Sequence, residues 1–170
     1  SNTRCPKFDI YSFNNNGFYT MNITVIALGK LKEKYLRDAV DEYSKRISAY
    51  GRLDIIELNP VRLSDNPSLN EIANALTKEA DDIKKKIPNN SYVFALCIEG
   101  KEKSSEQFAK TIDSAIINGK SNLVFIIGSS FGMSDEIKNL ADFKLSFSPM
   151  TFPHQLMRVI LMEALYRSFT

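Results

Sequence analysis

His154 is the one histidine in the chain, and it stands directly behind Ser148-Pro149-Met150-Thr151-Phe152-Pro153, a hexapeptide whose two prolines sit four apart. Neither strand nor helix runs through such a segment, so its backbone amides and carbonyls lack ladder partners and are available to hold a ligand. Arg158 lies four residues beyond His154 and shares its helix face. In isolation the two read as a helix-start histidine and a solvated arginine. Their place immediately after the irregular loop gives the functional reading equal standing. Further on, Tyr166-Arg167 pairs a stacking ring with a guanidinium suited to phosphate, whereas Glu163 and Arg167 in i,i+4 order read as a surface ion pair.

Other chemistries lack their residues. One histidine and two separated cysteines cannot build a zinc cluster, so no metal is expected. A Ser-His-Asp arrangement has only His154 to draw on and no GxSxG turn. The glycine segment Gly128-Ser129-Ser130-Phe131-Gly132 lacks the GxGxxG order and is not followed by the Lys-Ser/Thr of a phosphate loop. Alone it reads as a strand-to-helix turn; beside the other irregular segments it reads as a ligand loop.

The elements that must position these residues alternate. Strand-like runs cover Ile23 to Leu28, Leu53 to Leu58, Tyr92 to Ile98, Leu123 to Ile127 and Phe143 to Phe147. Between them, helical periodicity covers Tyr35 to Tyr50, closed by Gly51, and about Leu69 to Ile87. It continues from an N-cap at Ser104-Ser105 to Asn118-Gly119, and over a short stretch opened by Ser134. Pro153, at the first helical position, opens the last helix, in which Leu156, Val159, Ile160 and Leu165 recur at helical spacing. Tyr35, Tyr43 and Tyr50 fall on the patterned face of their helix and are expected in the core, as is Cys97, an inert buried thiol. The pattern predicts an α/β fold with a mostly parallel sheet and helices on both faces. Ligands of such sheets bind beyond the carboxyl ends of the strands, where Leu96 to Gly100, Gly128 to Gly132 and Ser148 to Pro153 should converge on one pocket.

Composition sets the remaining bounds. With 170 residues, 44% of them hydrophobic, the chain suits one well-buried domain. Residues 1–20 read as a tag remnant (Ser1-Asn2) and non-native leader, and 21–170 as the domain. The 22 Lys and Arg against 20 Asp and Glu leave a net charge of +2, without the basic excess of a binder of free nucleic acid. No apolar run approaches the roughly 20 residues of a membrane span. Cys5 in a polar leader and Cys97 in an apolar run argue against a disulfide framework and for a reducing, cytoplasmic compartment.

The segment LSFSPMTFPHQLMRVILMEALYR, Leu145 to Arg167, together with YVFALCIEGK and VFIIGSSFGMS upstream, resembles the ribosomal RNA large subunit methyltransferase H family of SPOUT methyltransferases. The resemblance runs from Met21 to the last residue. It implies an α/β-knot fold with a C-terminal trefoil knot, a homodimer, and S-adenosyl-methionine as methyl donor. The implied acceptor is N3 of a pseudouridine in 23S rRNA on the assembled ribosome. It places cofactor binding on Leu96, Gly128, and the loop Ser148, Pro149, Met150, Thr151, Phe152 and Pro153. Since the acceptor N3 must lose a proton, His154 is the available neutral base or orienting group, Arg158 and Arg167 are the candidate cations for phosphate or the developing anion, and Arg158, Tyr166 and Arg167 are the candidate RNA contacts. The sequence departs from the family in having Gly128-Ser129 where Gly-Gly is common. Relatives also continue past the Tyr-Arg pair into a His-Pro-Tyr-His type tail linked to RNA binding and catalysis. The alternatives are a SPOUT enzyme with another rRNA or tRNA target, and a non-catalytic ribosome-binding module.

Overall fold

The computed structural model describes residues 21–170, so the expectation for residues 1–20 lies outside it. Five strands, β1 (Met21–Leu28), β2 (Gly51–Leu58), β3 (Ser91–Glu102), β4 (Asn122–Ile127) and β5 (Phe143–Ser146), form one sheet in the order β2-β1-β4-β3-β5. Every neighbouring pair is parallel. Helices α1 (Lys34–Ile47), α3 (Ser105–Ile117) and α5 (His154–Phe169) cover one face, and α2 (Leu69–Lys84) and α4 (Asp135–Leu140) the other.

Strand residues alternate between the two cores. Ile23, Val25 and Ala27 of β1 face α1, α3 and α5, while Ile26 and Leu28 face α2 and α4. Both sides of β1 and β4 are therefore dry, which is why their sequences are continuous apolar runs. Phe94 and Phe125 stack at 4.6 Å across β3 and β4, and Phe108 of α3 meets both edge-on. The predicted N-cap at Ser104 is a full capping box with Gln107, and Ser68 with Glu71 forms another at the start of α2. Helix α5 buries Leu161, Met162 and Leu165 completely, as the apolar sequence requires.

Several boundaries differ from the sequence reading. Gly51 does not close α1, which ends at Ile47 with Ser48 as C-cap; it opens β2. A Cβ at Gly51 would lie 2.6 Å from the Met21 carbonyl oxygen, so the glycine serves a strand contact. Tyr35 is 69% exposed and Tyr50 39%, both outside the core, whereas Tyr43 packs against it. Tyr50 instead stacks on Phe169 at 5.9 Å. Pro153 is the N-cap of α5, with its carbonyl accepting from the Met157 amide, and helical geometry begins at His154.

Strand β3 also runs past Ile98 to Glu102. It re-pairs with β5 after a bulge, so that Leu145 stands opposite both Leu96 and Lys101. Gly100 makes this possible, since a Cβ there would sit 2.8 Å from the Lys144 and Leu145 backbone. The chain leaves β5 at the sheet edge and returns through residues 147–153 to α5, which packs on α1. This course is compatible with the trefoil crossing that the resemblance implies.

Candidate functional site

The β3 bulge, the β4–α4 turn and the β5–α5 loop enclose one cavity of about 760 Å³ at the carboxyl ends of the strands. Its lining includes Leu96, Gly128, Ser148, Met150, Thr151, Phe152, Pro153 and His154. The three segments that the strand pattern placed together thus meet. Of the anticipated cofactor positions Pro149 alone is not part of the lining; it fixes the loop between Ser148 and Met150.

Each wall has a local cause. The β4–α4 turn closes on itself through Ser129 N–H to the Gly132 carbonyl at 3.0 Å and the reverse bond at 2.8 Å. Gly132 has φ +91°, and a Cβ at Gly128 would fall 2.4 Å from the Gly132 oxygen, so this tight turn needs both glycines. Its Ser129 hydroxyl donates to Glu79 of α2 at 3.0 Å. In the β5–α5 loop, the Ser148 hydroxyl accepts from the Met150 amide at 3.0 Å and its carbonyl accepts from the Ser146 hydroxyl at 3.1 Å. The proline-bounded segment is thereby held without a ladder.

His154, half-buried at the cavity wall, has its pKa pushed below the ordinary histidine value, by burial first and then by the nearby positive charges of Arg158 and Lys32. The imidazole is neutral at physiological pH and able to accept a proton. Arg158 is not a surface cation. Its residue is 3% exposed, and it donates to Glu57 Oε2 at 2.5 Å and to the Gly29 carbonyl at 3.0 Å. Glu57 Oε2 also accepts from the Leu31 amide at 3.3 Å, and Gln155 accepts from the Lys32 amide at 3.1 Å. Arg158 therefore ties the β1–α1 turn to the first turns of α5 and stands behind His154. A guanidinium so enclosed is not placed to meet an RNA phosphate.

Tyr166 and Arg167 lie at the opposite end of α5, about 18 to 20 Å from His154 at 1.5 Å per residue. Tyr166 packs on Tyr43 at 6.1 Å, and the Arg46 guanidinium sits 5.6 Å from the Tyr166 ring. Arg167 makes the anticipated ion pair with Glu163. The structure joins His154 to the cofactor segments and sets this basic and aromatic pair apart from them.

Sequence reasoning missed the Lys138–Glu99 ion pair on the cavity lining. The pairing holds the Glu99 carboxyl below its usual range and raises the Lys138 ammonium, two shifts that agree in direction. Glu99 lies in the β3 bulge and Lys138 in the last turn of α4, 39 residues downstream, and no periodicity in the sequence reveals that the two meet. Cys97 is half-buried and lines the cavity rather than the core; burial raises its thiol pKa, which keeps it unreactive. Among the described residues no His, Cys, Asp and Glu group could hold a metal ion, and no helix is long and apolar enough to cross a membrane.

A family model described as Predicted SPOUT methyltransferase matches residues 21–170. The chain belongs to this SPOUT methyltransferase family. A Methanococcus maripaludis protein is 56% identical over 149 residues, which span 88% of this chain and 94% of the relative. Over the same coverage, the proteins named ribosomal RNA large subunit methyltransferase H from Clostridioides difficile and Clostridium novyi are 50% and 52% identical. The parallel sheet with helices on both faces is accordingly a SPOUT-type α/β fold, and its strand-end cavity is formed entirely within the matched region.

Proposed function

We propose that this chain is an S-adenosyl-methionine-dependent methyltransferase acting on N3 of a pseudouridine in 23S rRNA on the assembled ribosome, in the cytoplasm. The observation that carries the proposal is the cavity in which the three loop segments meet His154. The names of the relatives supply the ribosomal RNA, and the resemblance supplies the acceptor atom.

The cavity suits the cofactor. Its volume of about 760 Å³ accepts a nucleoside joined to an amino acid, and its walls are backbone and apolar side chains with few charges. When bound, S-adenosyl-methionine supplies an electrophilic methyl group on a sulfonium. Leu96, Gly128, Ser148 and Met150 to Pro153 would hold it, with Ile127, Phe147 and Met157 completing the apolar lining. His154, kept neutral by its surroundings, takes the acceptor N3 proton or orients the base. Arg158 acts behind it as the buried clamp on α5.

Tyr166 and Arg167 contact RNA in this reading. The length of α5 separates Arg167 from the same chain's His154, so it serves the acceptor from the partner in a homodimer.

Calorimetric titration with S-adenosyl-methionine, followed by mass spectrometry of digested rRNA after incubation with unmethylated ribosomes, tests the proposal. Saturation near one site per subunit and a methyl group on a 23S pseudouridine are expected. Binding with methylation of another rRNA or of tRNA would redirect the acceptor. A folded chain that binds ribosomes but no cofactor would be a non-catalytic module.

A further inference from the structure

Glu79 is an acidic residue in the third turn of α2, yet it is 4% exposed and has no cation within ion-pair distance among the described residues. Its carboxylate is met by two neutral donors. The Val61 amide donates to Oε2 at 3.2 Å and the Ser129 hydroxyl to Oε1 at 3.0 Å. Those donors belong to different segments: Val61 to the β2–α2 loop and Ser129 to the turn that walls the candidate cofactor cavity. A second cavity of about 220 Å³ lies on the other side of that turn, lined by Val61, Glu79, Ser129 and Phe131 among others. Ser129 and Phe131 thus stand between the two spaces.

A carboxylate removed from water with only two neutral donors is a costly way to fill a helix–loop junction, where an apolar side chain would serve stability better. What the acid adds is geometry. The backbone bonds between Ser129 and Gly132 fix the turn's internal shape but not its tilt against the sheet. The Glu79 bond supplies that second constraint.

We propose that Glu79 is a positioning residue that sets the Ser129–Gly132 turn, and with it one wall of the cofactor cavity, in register with the β2–α2 loop. Its effect on cofactor affinity rests on the function proposed above; its effect on the turn does not. Glu79 touches neither cofactor nor acceptor and acts through Ser129. Movement of the β2–α2 loop is transmitted to the cavity wall through the same carboxylate.

Amide hydrogen exchange on the full, cofactor-free chain, paired with calorimetric titration by S-adenosyl-methionine, tests this with Ser129→Ala and Glu79→Gln. Ser129→Ala should speed exchange in residues 128–133 and leave Val61 protected. Glu79→Gln offers one acceptor oxygen to two donors, so it should speed exchange in both segments. Each variant should bind the cofactor about 5- to 10-fold more weakly, and the double variant within about 2-fold of Glu79→Gln alone, since one bond is being removed twice. Unchanged exchange and unchanged affinity in both variants, with only a lower Tm, would make Glu79 an ordinary buried helix residue and overturn the proposal. Should Glu79→Gln fail to fold, Ser129→Ala alone decides the turn. If the unsubstituted chain binds no S-adenosyl-methionine, the methyltransferase reading falls, while the exchange data still decide the clamp.

Discussion

The imidazole of His154 meets a low-dielectric wall on one side and two cations on the other, and both favour the form without a proton. Its folded-state pKa is below the unfolded value, so a base role should let methyl transfer persist to lower pH than an ordinary histidine would allow. Activity should fall only at lower pH, which a kcat/KM profile on ribosomal substrate would show. Stability follows the same sign. As pH falls below the unfolded histidine value, the unfolded chain takes up the proton first and the native state loses stability. His154→Ala should lower transfer by about 100-fold or more with cofactor affinity little changed, and an unaltered rate across pH would remove the base assignment.

Arg158 makes a different prediction. Arg158→Ala leaves Glu57 without its partner, and because the Glu57 side chain keeps 36% of its exposure the loss is softened to about 2 to 3 kcal/mol, read as a lower Tm. The same substitution removes one cation facing His154, so the single histidine resonance should titrate at higher pH. The remaining neighbour, Lys32, limits the rise.

Among the elements, the β4–α4 turn and the β3 bulge are the least replaceable. Gly128→Ala would drive a methyl group into the Gly132 carbonyl, which lies 2.4 Å from the ideal Cβ, and backbone cannot swing aside as a flexible side chain does. We expect a stability loss of about 1 to 3 kcal/mol and a larger proportional loss of S-adenosyl-methionine binding, measured by thermal unfolding and calorimetry on one preparation.

These elements also show where sequence is informative. The strands announce themselves because burial on both faces forces unbroken apolar runs, and α3 because Ser104 and Gln107 carry its start in their side chains. The bulge in β3 is silent, since Cys97 to Gly100 satisfy no period. Gly51 misleads, because a glycine after a helix and a glycine under a neighbouring strand are spelled alike. Tyr35 follows helical spacing but falls outside the buried face of α1, and Tyr50 lies beyond the end of that helix, where Phe169 covers it only in part. Glu79 carries no local signal at all: its partners lie 18 and 50 residues away.

At the scale of the whole molecule, the three segments that line the candidate cavity were legible as a group because a parallel sheet delivers its strand ends to one side. The separation of Arg167 from His154 was legible too, since one helix running through both sets it at about 1.5 Å per residue. If Arg167 serves the acceptor bound to the partner subunit, His154→Ala and Arg167→Ala should each be nearly inactive on ribosomes, yet subunits mixed and refolded together should regain activity that neither has alone. No recovery on mixing would place both groups in one chain's reaction or remove Arg167 from it. Arg167→Ala should cost the fold no more than about 0.5 kcal/mol, since its pair with Glu163 is exposed.

One uninterrupted helix, α5, carries the cavity lip on its first turn and Tyr166 and Phe169, seated against Tyr43 and Tyr50, on its last. With Arg158 bracing it near one end and aromatic rings gripping the other, it behaves as a lever with no joint along its length. Because the helix is unbroken, a shift of Tyr166 and Phe169 in their aromatic seat would carry the His154 end with it, and the two ends cannot be displaced independently.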